Sequence, residues 1–560
     1  MIITVLLLAL LVGGVGFIVT ASRRLQGQPL NGQMVRRGFQ YVLLYVLVLI
    51  VANGAVDLLG RLFGSRAAGD DGFLFAQSLT AIVIALPIAV LLTWWIYRTH
   101  RRDPLERDSL LYQAYLTTAA LTGAAMTAAN LQQTLTTAIG SQDLNAEALV
   151  GVAIWAAVWA VHWRIIERSL TVPNTVAHVL LGCAIGLVLA AGGLIDLLAT
   201  SLELLTGPEI IIGPYVGLGA AAGMFVSGAV IWSVYWFGAA TNLPRNTAWH
   251  AYVLLLGVAG GLTTALFGAH GLIWHGLVQL MGHPELFNDW LNWSTAVATL
   301  VIGATVWWYH RTILDPAQRS SVQRVYEYLT AGIGALAAAA GIGMLVISLI
   351  DAIAPASLYY HPLNTLLGAL PLFIIGATVW WLHWRRIQAH ADAEPQAELT
   401  ATPRRIYLVV LLGGSGVAVV IALISGVVDI VHDIVQGSLS LATLYKVRME
   451  TSFLAASAAL IAYHVAILRQ DQRHGPLQAP TPVRHGTLTL IGPADASLEA
   501  DLTHHIKGPV RLLPVEVAAS WSTDAILAAL TTYDPDEDVV IIAHERGIEA
   551  HPAQALRYLK

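Results

Sequence analysis

Apolar runs of about 20 residues, the length that crosses a bilayer, recur along the chain up to position 468. The pattern predicts helices over 38–63, 74–98, 110–138, 147–167, 175–205, 212–238, 247–281, 289–312, 325–353, 363–388, 404–436 and 449–468. A further apolar span, Met1 to Ala21, precedes them and brings the count to about thirteen transmembrane helices. The polar breaks are short and carry turn residues, as at Asp103-Pro104, Gly207-Pro208, Leu243-Pro244 and Asp315-Pro316. Beyond a Pro-rich linker, 475–484, the pattern changes. Strand-like runs at Thr487–Ile491, Val510–Leu513 and Val539–Ala543 alternate with helical stretches near Ala496–Lys507 and Thr523–Tyr533, predicting a small α/β domain over 485–560.

Within the membrane part the chain repeats itself. Every second helix ends on a related phrase: Trp94-Trp95-Ile96-Tyr97, Trp159-Ala160-Val161-His162, Trp232-Ser233-Val234-Tyr235, Trp307-Trp308-Tyr309-His310, Trp380-Trp381-Leu382-His383 and Ile461-Ala462-Tyr463-His464. The partner helices carry a polar mark late in the span, Asp57, Asn130, Asp196, Asp351 and Asp429, with Gly271 at the corresponding place in the fourth hairpin. Two marks on one period predict six two-helix hairpins, at 36–100, 108–167, 174–240, 245–313, 322–388 and 404–469. Two spans per unit make successive units enter the membrane in the same direction, a parallel repeat. The fold class expected is an all-α polytopic membrane protein with a small C-terminal α/β soluble domain.

The repeat phrases resemble a bacterial multi-pass membrane family known as domain-of-unknown-function family 5671. The resemblance is carried by a basic and aromatic start of the first helix, Arg404-Arg405-Ile406-Tyr407 and Arg324-Val325-Tyr326, and by a proline-to-tryptophan end of the second. The latter is clearest from Pro371 to Trp380-Trp381-Leu382-His383-Trp384-Arg385 and from Pro87 to Trp94-Trp95-Ile96-Tyr97-Arg98. It extends over 36–468 as about three four-helix copies, although the third and fourth hairpins depart from it: Tyr235 stands in place of His, and the mid-helix proline is missing. The resemblance implies repeated membrane hairpins and no defined activity.

Charge gives the orientation. Twenty arginines, among them Arg23, Arg24, Arg98, Arg168, Arg245, Arg324, Arg404 and Arg473, fall on one side; only Arg61, Arg66, Lys446 and Arg448 fall on the other. The positive-inside rule places the first side and the C-terminal domain in the cytoplasm. Arg23 and Arg24 come after the first span rather than before it, so that span reads as an uncleaved anchor with its N-terminus outside a bacterial plasma membrane.

Composition agrees: 56% of the residues are hydrophobic and 12% charged, against about 25% charged in soluble domains. A net charge of −5 without a basic face excludes nucleic acid as a partner. The single cysteine, Cys183, excludes intrachain disulfides, CxxCH haem attachment and cysteine-ligated iron–sulfur clusters. Neither a Walker A sequence nor GxGxxG occurs, so no catalytic residue, cofactor or metal ligand is assigned, and the reading leans away from an enzyme.

Two groups of residues remain as candidates. Trp94, Trp159, His162, Trp232, Trp307, His310, Trp380, His383 and His464 share the arginine-rich helix ends, where an interfacial belt of amphipathic rings is expected. Stacked imidazoles at those positions would alternatively suit haem. Asp57, Asn130, Asp196, Asp351 and Asp429 lie late in their spans, where carboxylates reach the outer surface or line a cation vestibule. In the tail, His504, His505, His544, His551, Glu545 and Glu549 match no recognised metal-ligand spacing and read as surface residues. The leading functional reading is a non-enzymatic membrane scaffold or accessory subunit, with lipid around it and a protein partner at the cytoplasmic domain. A transporter or channel for a small solute or cation, and a haem-binding membrane oxidoreductase, are the alternatives.

Overall fold

A computed structural model of the chain describes residues 32–63, 72–103, 107, 109–140, 144–170, 172–206, 214–282, 292–314, 320–354, 362–473, 486–495 and, with short gaps, 498–553. The span Met1–Ala21, the linker 475–484 and most of the stretch Ala496–Lys507 lie outside the described residues. The chain divides into two compact units, one drawn from 1–389 with 406–465 and one from 390–405 with 466–560.

Each of the twelve segments that hydropathy marks between 38 and 468 is a helix. They are α1 (Gly32–Phe63), α2 (Gly72–Arg102), α3 (Leu110–Gly140), α4 (Ala146–Ser169), α5 (Val172–Thr206), α6 (Pro214–Trp236), α7 (Thr247–Leu280), α8 (Trp293–Ile313), α9 (Ser321–Ile353) and α10 (Pro362–Ala393). A short α11 (Pro395–Leu399), then α12 (Thr402–Val435), a short α13 (Leu441–Lys446) and α14 (Arg448–Arg473) complete the helical part. Ten of the described helices are long and apolar enough to cross a membrane; α3 and α8 fall outside that group. The first is rich in Thr and Gln, and the second in Thr and Trp. Several hydroxyls of α3 are nonetheless provided for inside the helix, Thr127 donating to the Gly123 carbonyl and Thr134 to that of Asn130. Back-bonding of this kind removes the cost of a bare hydroxyl in an apolar bundle.

Local chemistry fixes where several helices begin. Asn145, Asn246, Asn292 and Ser320 each stand in extended backbone and accept from a backbone N–H three residues on, capping α4, α7, α8 and α9. At the other end of α12, Gly437 adopts φ +65° and lets the chain turn out of the helix, a conformation that disfavours residues with a Cβ.

The two long helices of each hairpin pair antiparallel, and in α3/α4, α5/α6, α7/α8 and α9/α10 glycine sets how closely they pair. A Cβ built on Gly334 of α9 would lie 2.5 Å from the backbone nitrogen of Trp380 on α10. Gly123 meets Trp159, Gly186 meets Trp232 and Gly261 meets Trp307 in the same way. Two turns along, Gly193, Gly268 and Gly341 abut Phe225, Leu300 and Phe373, while Gly228, Gly303 and Gly376 abut Ala190, Ala265 and Ala338 from the opposite helix. Lipid tails are as apolar as leucine, so close van der Waals approach at small residues, not hydrophobic exclusion, is what holds such pairs. Trp159, Trp232, Trp307 and Trp380 are therefore packing landmarks as well as aromatic groups.

In α7 the registry contains one extra residue. Tyr115 precedes Gly123, His178 precedes Gly186 and Tyr326 precedes Gly334 by one common interval, whereas Tyr252 precedes Gly261 by one residue more. The nine residues Tyr252–Gly260 form a π-helix. A wider turn absorbs an inserted residue without rotating the remainder of the helix, so Tyr252 and Gly261 both keep the faces their counterparts have.

The second unit holds a four-stranded sheet, β1 (Leu488–Gly492), β2 (Val510–Pro514), β3 (Val539–His544) and β4 (Gly547–Pro552), in the order β2-β1-β3-β4. β1 is parallel to β2 and β3; β4 returns antiparallel on β3. Helix α15 (Thr523–Leu530) packs Ile526 and Leu530 with Leu488, Leu490, Val539 and Ile541 in one core. The first three strands match the expected runs. β4 lies outside the expected strands, because its sequence, Gly547 to Pro552, has little apolar alternation; pairing with β3 imposes it.

Candidate functional site

At the arginine-rich ends of the helices, every hairpin places one tyrosine opposite one histidine. In α3/α4 the Tyr115 hydroxyl lies 3.0 Å from His162 Nε2, and in α12/α14 Tyr407 lies 2.9 Å from His464 Nε2. In α1/α2 the pair is Tyr41 and His100, 3.2 Å apart. Tyr252 and His310 in α7/α8, and Tyr326 and His383 in α9/α10, face each other with ring centroids 6.0 and 6.1 Å apart. In α5/α6 the pair is inverted: His178 is on the first helix and Tyr235 on the second, with centroids 5.1 Å apart. The departure of Tyr235 from the phrase is thus matched by a histidine where the other hairpins carry tyrosine. At the Tyr97 departure, His100 takes the role one helical turn later.

The hydrogen bonds fix the protonation pattern of these rings. Nδ1 of His162, His310, His383 and His464 each contacts the backbone carbonyl four residues earlier, at 2.8 to 2.9 Å. A carbonyl only accepts, so Nδ1–H donates, and in the neutral ring Nε2 is left as acceptor. The Tyr115 and Tyr407 hydroxyls donate to it. Both ring nitrogens of His162 and His464 are engaged, Nδ1 within its own helix and Nε2 across to the partner helix.

Tryptophan then links one hairpin to the next. Trp159 Nε1 donates to the Tyr235 hydroxyl at 3.2 Å, and Trp232 Nε1 to Tyr252 at 3.1 Å. Trp236 donates to Tyr309 and Trp384 to Tyr463, both at 2.6 Å. Around the last two bonds the same ring arrangement recurs: Trp232 stacks on Trp236 as Trp380 stacks on Trp384, and each outer tryptophan lies beside His310 or His464.

The residues expected in an aromatic belt therefore divide. His162, His310 and His464 are buried between helices, and Trp159, Trp232, Trp307 and Trp380 are half-buried with their backbones against glycine. Trp94 faces outward, as do the second tryptophans Trp95, Trp308 and Trp381. Neighbouring positions on a helix point about 100° apart, so a Trp-Trp pair supplies one packing ring and one outward ring. Arg98 stands over Trp94 and Arg311 over Trp307, with the cations 5.4 and 5.5 Å from the ring centres.

The late polar marks do not gather. Asp57 accepts from Ser78 Oγ at 3.1 Å; Asn130 donates to the Met126 carbonyl and lies against Gly151. Asp196 is exposed and Asp429 half-exposed. Asp351 alone is deeply buried, 4% exposed, with Arg448 Nε 3.6 Å from its carboxylate. Asp433, absent from the sequence-based set, is buried as well and joins Lys446 at 2.7 Å and the Thr443 hydroxyl at 2.6 Å. Lys446 and Arg448, both on the sparsely charged side, are thus paired with carboxylates. The sequence signal for Asp433 is its distance of four residues from Asp429 on one helix face.

In the second unit, Glu549 lies between His544 and His551, 3.4 and 3.6 Å away. His504, His505 and Glu545 lie outside the described residues. Among the described residues no group of three His, Cys, Asp or Glu side chains is placed to hold a metal. A cavity of about 570 Å³ lies beyond the carboxyl ends of β1 and β2, beside Pro493, Pro514 and Glu516, where open α/β sheets place their ligands.

The inverted pair in α5/α6 makes a direct test of the tyrosine–histidine contact. Tyr407→His or His464→Tyr alone is expected to lower stability by about 1–3 kcal/mol, since each leaves a buried polar group without its partner. The double exchange is expected to recover most of that loss, measured as unfolding temperature in detergent. A double variant no better than the sum of the singles sinks the equivalence.

The family model for a domain of unknown function, DUF5671, matches residues 37–161 and 324–464. No curated protein and no solved structure matches the chain. The matched segments are α1–α4 and α9–α14; the hairpins α5/α6 and α7/α8, which carry the inverted pair and the π-helix, lie between them. The chain resembles the DUF5671 family in two tandem segments, each a four-helix copy of that domain of unknown function.

Proposed function

We propose that the chain is a multi-pass membrane scaffold or accessory subunit that holds a docking domain at the cytoplasmic face of a bacterial plasma membrane. In this reading thirteen spans, with Met1–Ala21 as the first, form six parallel hairpins behind an N-terminus on the outside, and the α/β unit lies inside. The observation that carries it is the use of the repeat-related polar groups. The tyrosines, histidines and tryptophans at the arginine-rich ends bond one another across helices, and the late carboxylates are dispersed over separate hairpins. Such groups stabilise an architecture and form no converging path. The Nε2 atoms that haem would need are engaged by tyrosine in His162 and His464.

The test is purification of the full chain in mild detergent, with an absorption spectrum, metal analysis and cross-linking mass spectrometry. A protein that co-purifies in fixed ratio and cross-links to 486–553, without a Soret band, is the expected result. A bound chromophore would replace this reading by electron transfer. Cation flux into liposomes that disappears in Asp351→Asn would replace it by transport, the reading that buried Asp351 favours.

A further inference from the structure

A cavity of about 210 Å³ lies at the arginine-rich end of the bundle, between the start of α7 and the start of α9. Its polar wall is formed by Arg245, His250, Ser320 and Gln323, and its apolar wall includes Trp249 and Leu314. We propose that this cavity binds a phosphate group, presented by a phospholipid headgroup or as the free anion.

Three features converge on that chemistry. The Arg245 side chain is exposed and stands over the Trp249 ring, 5.4 Å from its centre. Among the described residues no carboxylate pairs with it. A guanidinium carries five donors in a plane, and its fork matches two oxygens of a phosphate. His250 donates through Nδ1 to the Asn246 carbonyl at 2.9 Å, so the neutral ring offers Nε2 as an acceptor for a headgroup hydroxyl or ammonium. The cap of the 33-residue helix α9, Ser320, opens on the same space and adds the positive end of a long helix dipole. The apolar wall suits the glycerol and first methylenes of a lipid. Basic pockets between membrane helices on the cytoplasmic side are where anionic headgroups are held. The inference rests on the reading that this end of the bundle lies at the membrane surface.

The experiment uses the purified full chain in detergent and reads the unfolding temperature against added phosphatidylglycerol or inorganic phosphate. Phosphatidylglycerol is expected to raise it saturably, with apparent affinity about five-fold weaker in Arg245→Gln. The exposed Arg168, at the same end of the bundle but away from the cavity, serves as control, and Arg168→Gln is expected to leave the shift unchanged. An Arg245-dependent shift with lipid alone assigns the headgroup; the same shift with inorganic phosphate alone assigns the free anion. Absence of an Arg245-dependent shift with either probe overturns the proposal, as does an equal loss in Arg168→Gln. Neither result bears on whether a protein partner co-purifies, so the scaffold reading stands or falls separately.

Discussion

Leucine at position 334 is expected to unfold the α9/α10 hairpin at markedly lower temperature than the parent chain. A Cβ there would already lie 2.5 Å from the Trp380 nitrogen and within 3.0 Å of the Gly376 carbonyl oxygen and the Trp380 Cα. Backbone atoms cannot rotate away as a side-chain tip can, so the helices must separate, and the neighbouring contacts Gly341–Phe373 and Gly376–Ala338 loosen with them. Overpacking of this kind costs about 3 kcal/mol or more. Gly413→Leu on α12 is the matched control, because nothing lies within 4 Å of a Cβ at that position. Its expected effect is within about 0.5 kcal/mol. Thermal unfolding of both variants in one detergent measures the difference, and equal stabilities would show that glycine crossings do not hold this bundle together.

Removing Arg404 has an effect of similar size for an electrostatic reason. Its guanidinium is 1% exposed and forms a fork on Asp471, Nε to Oδ2 and Nη2 to Oδ1, both at 2.8 Å. Arg404→Ala leaves a largely buried carboxylate without its cation, and breaking one side of such a pair costs about 3–5 kcal/mol. The adjacent Arg405 is exposed, and Arg405→Ala is expected to change stability by less than about 1 kcal/mol. Replacing both members, Arg404→Met with Asp471→Leu, should restore much of the loss, since the desolvation cost disappears with the charges. Raised salt should weaken the buried pair little, which distinguishes it from a surface bridge. A loss in Arg404→Ala no larger than in Arg405→Ala would show that the fork contributes nothing net.

Both residues illustrate how far the sequence reached. Arg404 is legible as one of many arginines at the arginine-rich helix ends and as part of the Arg-Arg-Ile-Tyr start, but its partner lies 67 residues away. Period and hydropathy are local or averaged signals, so they count a charge without saying what neutralises it. The same holds for Asp351, whose place late in its span points to the outer surface or to a cation vestibule, and which the fold buries against Arg448 on a different hairpin. The histidines show the point most fully. Their common repeat position was visible, and so was the substitution of Tyr235. That His178 answers Tyr235 could be read only once the antiparallel pairing of α5 and α6 set them opposite each other.

By itself the sequence determined the helices, their ends to within a few residues, the change to α/β character in the tail and the resemblance of the first and last hairpin pairs to one family. Each of these reflects a demand that a short stretch meets alone: an apolar run must close its own backbone hydrogen bonds in lipid, and an alternating run must find a sheet. Which residue meets which was decided by tertiary structure, because glycine sets the distance between helices and that distance selects the partners. The π-helix of α7 is the clearest instance. One added residue between Tyr252 and Gly261 is a trivial difference in the sequence, yet it changes the helix type because the Tyr252 ring and the Gly261 backbone must both keep their places against α8.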